Sequence, residues 1–201
     1  DARFGQPFIA FTDPDGMKLE IAAAAEGSGE GILGFAGATL WSMVPDRTLR
    51  LLTDGFGYAV AGEDAGRIRL RASGSATIGT LIDVLTDAGL DRARPGAGTV
   101  HHIAFRVPGD AEQEAWRDRI ASFGYDVTPV IDRQYFHSIY FRERGGILFE
   151  IATDPPGFAV DEAAAKLGTA LMLPSRYAHD RARIEKRLPP VRLPGGGTVG
   201  G

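Results

Sequence analysis

The stretch SIYFRERGGILFEIA, Ser138 to Ala152, falls without a gap over FIAFTDPDGMKLEIA, Phe8 to Ala22. Ile9 lands on Ile139, Phe11 on Phe141, Gly16 on Gly146, Glu20 on Glu150, Ile21 on Ile151 and Ala22 on Ala152. Each copy sets two apolar runs on either side of turn formers, Asp13-Pro14-Asp15-Gly16 in the first, which is the pattern of a β-hairpin. Phe56-Gly57-Tyr58 likewise returns as Phe123-Gly124-Tyr125. Recurrence at long range predicts a fold assembled from repeated units.

Working outward from the second hairpin gives a whole unit. GTVHHIAFRV, Gly98 to Val107, reads as a strand. Asp110 is placed to cap a helix, with Gln113 three residues on. Ala115, Trp116, Ile120 and Phe123 form its core-facing stripe before Gly124 stops it. Strands over Asp126 to Asp132, Ser138 to Arg142 and Ile147 to Thr153 complete a β-α-β-β-β order. The earlier unit has a strand over Gly34 to Met43. A helix opens at Pro45-Asp46, carries Leu49, Leu51 and Leu52, and ends near Gly55. Ala59 to Leu85 reads as two short strands with loops.

The expected fold class is therefore α+β, with repeated βαβββ modules forming curved mixed sheets. Residues 1–24 read as the end of an N-terminal module, 32–88 as a middle module and 98–154 as a third. Residues 155–190 read as a helical cap with pieces at Asp161 to Leu167 and Ser175 to Leu188. A Gly/Ser/Glu linker is expected from Ala25 to Gly31, and a flexible tail over 191–201. Because the chain opens inside the last hairpin of a unit, a further segment is expected before Asp1.

Bulk properties narrow the functions. The 201 residues, 44% of them apolar, suffice for a sizeable core. A formal net charge of -4, with its Lys and Arg dispersed, offers no field to hold a phosphate backbone, so nucleic acid is not an expected partner. No apolar run approaches the roughly 18 residues that span a bilayer. With no cysteine there is neither a disulfide framework nor a thiolate metal site, so any metal must be held by nitrogen and oxygen, and the expected compartment is the cytoplasm.

Polar groups interrupt two of the strands. His101 and His102 lie in the first, and Glu150 lies among Ile147, Leu148, Phe149 and Ile151 in GGILFEIATD, Gly145 to Asp154. A buried carboxylate requires a partner. Side chains alternate along a strand, so the two histidines are expected on opposite faces, and His102, sharing its face with Ala104, is the better metal ligand. Imidazole and carboxylate at about 2.0–2.2 Å suit zinc, iron(II), manganese or cobalt. A core histidine bonded to a carbonyl, with Glu150 paired to Arg142, is an equally open reading. Arg133 could anchor an oxyanion and Tyr140 could donate to a substrate oxygen; a surface arginine and a half-buried tyrosine are the plain alternative. His137 and His179 read as surface residues.

The repeat, the HHIAFRV strand and the GGILFEIATD ending resemble the vicinal oxygen chelate superfamily, which includes glyoxalase I, fosfomycin resistance enzymes, bleomycin-binding proteins and extradiol dioxygenases. GTVHHIAFRVP, TPVIDRQYFHSIYFRERGGILFEIATDPPGFAVDE and the closing LMLP and LPP are most similar to ring-cleaving dioxygenases acting on hydroquinones. The resemblance implies iron(II) held by two histidines and one glutamate. His102 then matches the second histidine, Glu150 matches the glutamate, and His101, Arg133 and Tyr140 match residues that bind substrate and assist proton and oxygen chemistry. The first histidine would belong to a strand not contained in this chain, and Ala36, in the position of His102 one unit earlier, cannot replace it.

Three functions follow as expectations. The first is an Fe(II)-dependent extradiol-type dioxygenase, with a hydroquinone or catechol-like aromatic and dioxygen as its partners. The second is a glyoxalase-like isomerase or a fosfomycin-type transferase with another metal. The third is a metal-free protein that sequesters a planar aromatic. A homo-oligomer is compatible with each.

Overall fold

Alternation of apolar and polar residues resolves into three related sheets in the computed structural model, which describes residues 1–24, 29, 31–74, 76, 78–86, 96–193 and 196–199. The first sheet holds β1 (Ala2–Arg3), β2 (Gln6–Thr12) and β3 (Lys18–Ala22). The middle unit runs β4 (Gly37–Trp41), α1 (Pro45–Arg50) with a π turn over Leu51–Gly55, β5 (Ala59–Asp64), β6 (Arg67–Arg71) and β7 (Leu81–Leu85). The third runs β8 (Ile103–Val107), α2 (Asp110–Ser122), β9 (Ile131–Asp132), β10 (Phe136–Arg142) and β11 (Leu148–Pro156).

Both complete units have one topology. The middle sheet is ordered β4-β7-β6-β5 and the third β8-β11-β10-β9, and in each the first strand pairs in parallel with the last. The sequence repeat is therefore a repeat of hydrogen-bond register: Ala10 faces Glu20 across β2 and β3 as Tyr140 faces Glu150 across β10 and β11.

The core joins the two complete units. Leu40, Leu51, Leu52, Leu70, Ile82 and Val84 of one share a cluster with Val107, Ile120, Ile139, Phe141, Phe149 and Ile151 of the other. Phe56 lies with its ring centroid 4.9 Å from Trp116 and 4.3 Å from Phe105. A second junction is polar. Buried Glu143, at the β10–β11 turn, accepts from Thr48 Oγ1 at 2.8 Å and from the amides of Gly145 and Ile147 at 2.8 and 2.9 Å. A Cβ at Gly145 would overlap Ser42 Oγ, so only glycine permits this approach.

Several expectations change. Ala59 to Leu85 forms three strands, because a register shift between Val60 and Gly62 breaks the two-residue period. Gly109 occupies the N-cap of α2, while Gln113 is buried under the sheet and donates to the His137 and Ile151 carbonyls, both at 2.8 Å. The expected strand from Asp126 shortens to β9; upstream of it, Thr128 pairs with Tyr140 partly through its side chain, the Tyr140 amide donating to Thr128 Oγ1 at 3.0 Å. After β11 the chain makes 3-10 turns at Phe158–Val160, Ala164–Lys166 and Ser175–Asp180, a five-residue α3 (Arg181–Glu185), and the pair β12 (Val191–Arg192) and β13 (Thr198–Val199). The linker expected at Ala25 to Gly31 and the tail glycines lie largely outside the described residues, as does the end of the expected middle module at 87–88. Among the described residues no helix is long and apolar enough to cross a membrane.

Candidate metal centre

The parallel seam between β8 and β11 sets Ala104 directly beside Glu150, and His102 stands two residues before Ala104. The small alanine leaves the seam open, and His102 Nε2 comes to 2.6 Å from Glu150 Oε2. Glu150 is 3% exposed. Its other oxygen, Oε1, accepts from the Tyr140 hydroxyl at 2.7 Å and from the Ser138 hydroxyl. Ser138 and Tyr140 alternate along β10 and so present both hydroxyls to the same face.

The two histidines are not on opposite sides. β8 begins at Ile103, so the alternation that would separate them does not extend to His101, and its Nδ1 lies 2.9 Å from His102 Nδ1. Only one of those nitrogens can carry the shared proton. With Nε2 of a neutral His102 protonated toward the carboxylate, the His101 Nδ1–H donates; with the lone pair on His102 Nε2, the direction reverses. His101 is exposed and His102 half-buried.

Arg133 places its guanidinium carbon 5.8 Å from the centroid of the Tyr140 ring, and His102 meets that ring edge-on at 6.0 Å. Burial above all raises the Tyr140 pKa, and the hydrogen bond and charge of Glu150 add to the rise against opposing effects of Ser138 and Arg133. The phenol is thus protonated near neutral pH and available as a donor.

The expected cluster is brought together: His101, His102, Glu150 and Tyr140 form one chain of contacts, with Arg133 against the Tyr140 ring. Arg142 does not pair with Glu150; its guanidinium donates to the Gly146 carbonyl at 2.6 Å. His137 is no bare surface residue, since its Nδ1 lies 2.7 Å from Asp110, whereas His179 is exposed beside Asp180. Ser138 escaped the sequence reading. The repeat held a signal, because Phe8 occupies its place in the first hairpin.

One nitrogen and one carboxylate oxygen suit a divalent metal at two adjacent corners. Donors at about 2.0–2.2 Å from one ion and at right angles lie about 3 Å apart, so the 2.6 Å contact would open by a few tenths of an ångström on binding. Among the described residues no group of three His, Asp or Glu side chains converges on a single ion position. The neighbouring units lack the pair. In the middle sheet Ala38 lies beside Ile82 where Ala104 lies beside Glu150, and Glu20 in the first hairpin pairs with Arg3 at 2.8 Å. The buried carboxylate of the middle sheet, Asp83, is neutralised by Arg69 at 2.8 Å, while among the described residues the one ion-pair partner of Glu150 is His102.

Residues 38–151 match the Glyoxalase/Bleomycin resistance protein/Dioxygenase superfamily. MhqO of Bacillus subtilis strain 168, provisionally named a ring-cleaving dioxygenase, is 49% identical over 203 residues, which are 95% of this chain and 64% of MhqO. The chlorohydroquinone/hydroquinone 1,2-dioxygenase of Sphingobium indicum is 31% identical over 83% of this chain and 56% of its own length. The crystal structure of a provisionally named dioxygenase from Bacillus subtilis superposes with a TM-score of 0.89 at 46% identity, covering 96% of this chain and 65% of that one. The chain thus spans less than two thirds of each of these relatives.

Proposed function

The chain belongs to the glyoxalase/bleomycin resistance/dioxygenase superfamily, and we propose that it carries most of the active centre of an Fe(II)-dependent, extradiol-type ring-cleaving dioxygenase for a hydroquinone or catechol-like aromatic. One observation carries the reading: a buried glutamate with no guanidinium or ammonium partner among the described residues turns one oxygen toward a histidine Nε2 in a half-open seam. Residues whose role was only to complete the fold would be expected in the other complete unit, where Ala36 and Ile82 stand instead. The name of MhqO supports ring cleavage, and that of the Sphingobium enzyme supports a hydroquinone as substrate.

His102 and Glu150 would hold the iron, with manganese, zinc or cobalt as alternatives. When bound, the metal would draw a substrate oxygen and dioxygen into adjacent positions and pass electron density between them. This chain's own groups would do the rest. Once His102 ligates through Nε2, its Nδ1–H donates to His101 Nδ1, so neutral His101 carries its proton on the outer ring nitrogen and would donate it to a reactant oxygen. Tyr140, whose single hydroxyl proton goes to Glu150 Oε1, would present its oxygen as an acceptor to a substrate hydroxyl, and Arg133, across the Tyr140 ring, would offset the developing oxyanion. Both atoms of dioxygen would enter the ring-opened product.

The test is anaerobic loading of the protein with iron(II), then oxygen uptake on adding hydroquinone. Uptake that His102→Ala abolishes supports the reading. Metal binding with no uptake on hydroquinones or catechols would place the protein with the isomerases and transferases of the fold, and aromatic binding that survives His102→Ala without metal would make it a sequestering protein.

A further inference from the structure

The two oxygens of Glu150 have different surroundings. Oε1 receives both hydroxyls, from Ser138 and Tyr140, while among the described residues Oε2 meets only His102. We propose that Ser138 and Tyr140 are positioning residues that occupy Oε1 and reserve Oε2 as the single ligating oxygen for a divalent cation. This rests on the metal-site reading above and specifies how the site is built.

Ser138 is fully buried, so water does not compete for its hydroxyl. It sits just after the register shift in β10, and the Gln113 amide pins that point by donating to the carbonyls of His137 and Ile151, the neighbours of Ser138 and Glu150. Neither strand can slide without losing a buried hydrogen bond. Tyr140 lies directly across from Glu150. Two O–H donors on one carboxylate oxygen oppose its use by a cation, since chelation through both oxygens would break at least one hydrogen bond at a buried carboxylate. One-oxygen binding leaves a further position on the cation for a reactant.

The repeat provides an internal control. Glu20 occupies the register position of Glu150, but Ala10 and Phe8 stand where Tyr140 and Ser138 do, and the Glu20 carboxylate is exposed against Arg3. The hairpin therefore keeps its carboxylate and its pairing without either hydroxyl. The hydroxyls accompany the carboxylate that faces a histidine.

Infrared difference spectra of the full chain, zinc-loaded minus zinc-free, test the assignment, because the gap between the antisymmetric and symmetric carboxylate stretches is wide for one-oxygen and narrow for two-oxygen ligation. The expected results are a wide gap in the parent, a narrowed gap in the Ser138→Ala/Tyr140→Phe double variant at saturating zinc, and zinc affinity lowered about 10- to 100-fold. Ser138→Thr should restore the parent spectrum. If circular dichroism shows the double variant unfolded, Tyr140→Phe alone carries the comparison, and an unchanged gap there overturns the proposal. A parent that binds no zinc overturns the metal-site reading itself; a parent that binds with a gap the double variant leaves unchanged overturns only the positioning role.

Discussion

His102 Nε2 meets Glu150 Oε2 at 2.6 Å across the parallel seam of β8 and β11. Among the described residues neither has another ion-pair partner, so removing one affects the other directly. His102→Ala leaves Glu150 buried with only its two hydroxyl donors. We expect at least about 100-fold weaker binding of manganese(II), at or beyond the upper end of what supporting groups contribute, with the circular dichroism of the parent retained because Ala36 fills the same place in the middle unit. Equilibrium dialysis against manganese(II) measures this, and unchanged affinity would remove His102 from the site.

Gln113 binds α2 to the sheet beneath the centre. Its amide nitrogen serves two carbonyls, and its own oxygen has no partner among the described residues. Gln113→Leu should cost about 1–3 kcal/mol, since both buried carbonyls lose a donor. Gln113→Glu should cost more, because a carboxylate would face two acceptors. Urea unfolding of the two variants gives the order, and a reversed order would contradict the hydrogen-bond assignment.

Much of this architecture was legible because apolar identity repeats. Ile9, Phe11 and Ile21 announced the register that Ile139, Phe141 and Ile151 share, and His102 and Glu150 stood out as polar groups in apolar runs. What was hidden had no period. The shift between Val60 and Gly62 disguised a third strand, and a lone buried serine gives no signal without its partner across the sheet. Gln113 satisfied a capping pattern by spacing, although its amide is used beneath the sheet instead. The histidines met because the strand starts at Ile103, five residues later than the expected Gly98, so no strand alternation separates them.

Alkaline stability should follow the tyrosines. Burial raises the Tyr58 pKa, so its folded value lies above the unfolded value of about 10. The sign follows: the protonated phenol contributes fully below pH about 10, and that contribution is lost as pH rises through the folded pKa. An ultraviolet phenolate titration should show a late step, to which the raised Tyr125, Tyr135 and Tyr140 also contribute, and Tyr58→Phe should lower its amplitude by one phenol. An unchanged late amplitude in the variant would mean that Tyr58 does not titrate late.

The repeat itself permits a paired test of burial. Phe11 and Phe141 occupy one register position, yet Phe11 is 45% exposed and Phe141 2%. Phe141 lies in contact with Phe149 and Tyr125, ring centroids 5.5 and 5.4 Å away, in the core beneath α2. Phe141→Ala should therefore cost about 3–5 kcal/mol through lost transfer energy and a residual cavity. Phe11→Ala removes far less buried surface and should cost less than about 1 kcal/mol. Because sequence context and strand pairing are nearly the same, the difference between the two variants in urea unfolding isolates what the helix-covered core contributes. Equal losses would mean that the β2–β3 face is covered in solution, and the partner would then be sought among surfaces that bury Ile9, Leu19 and Ile21 together with Phe11.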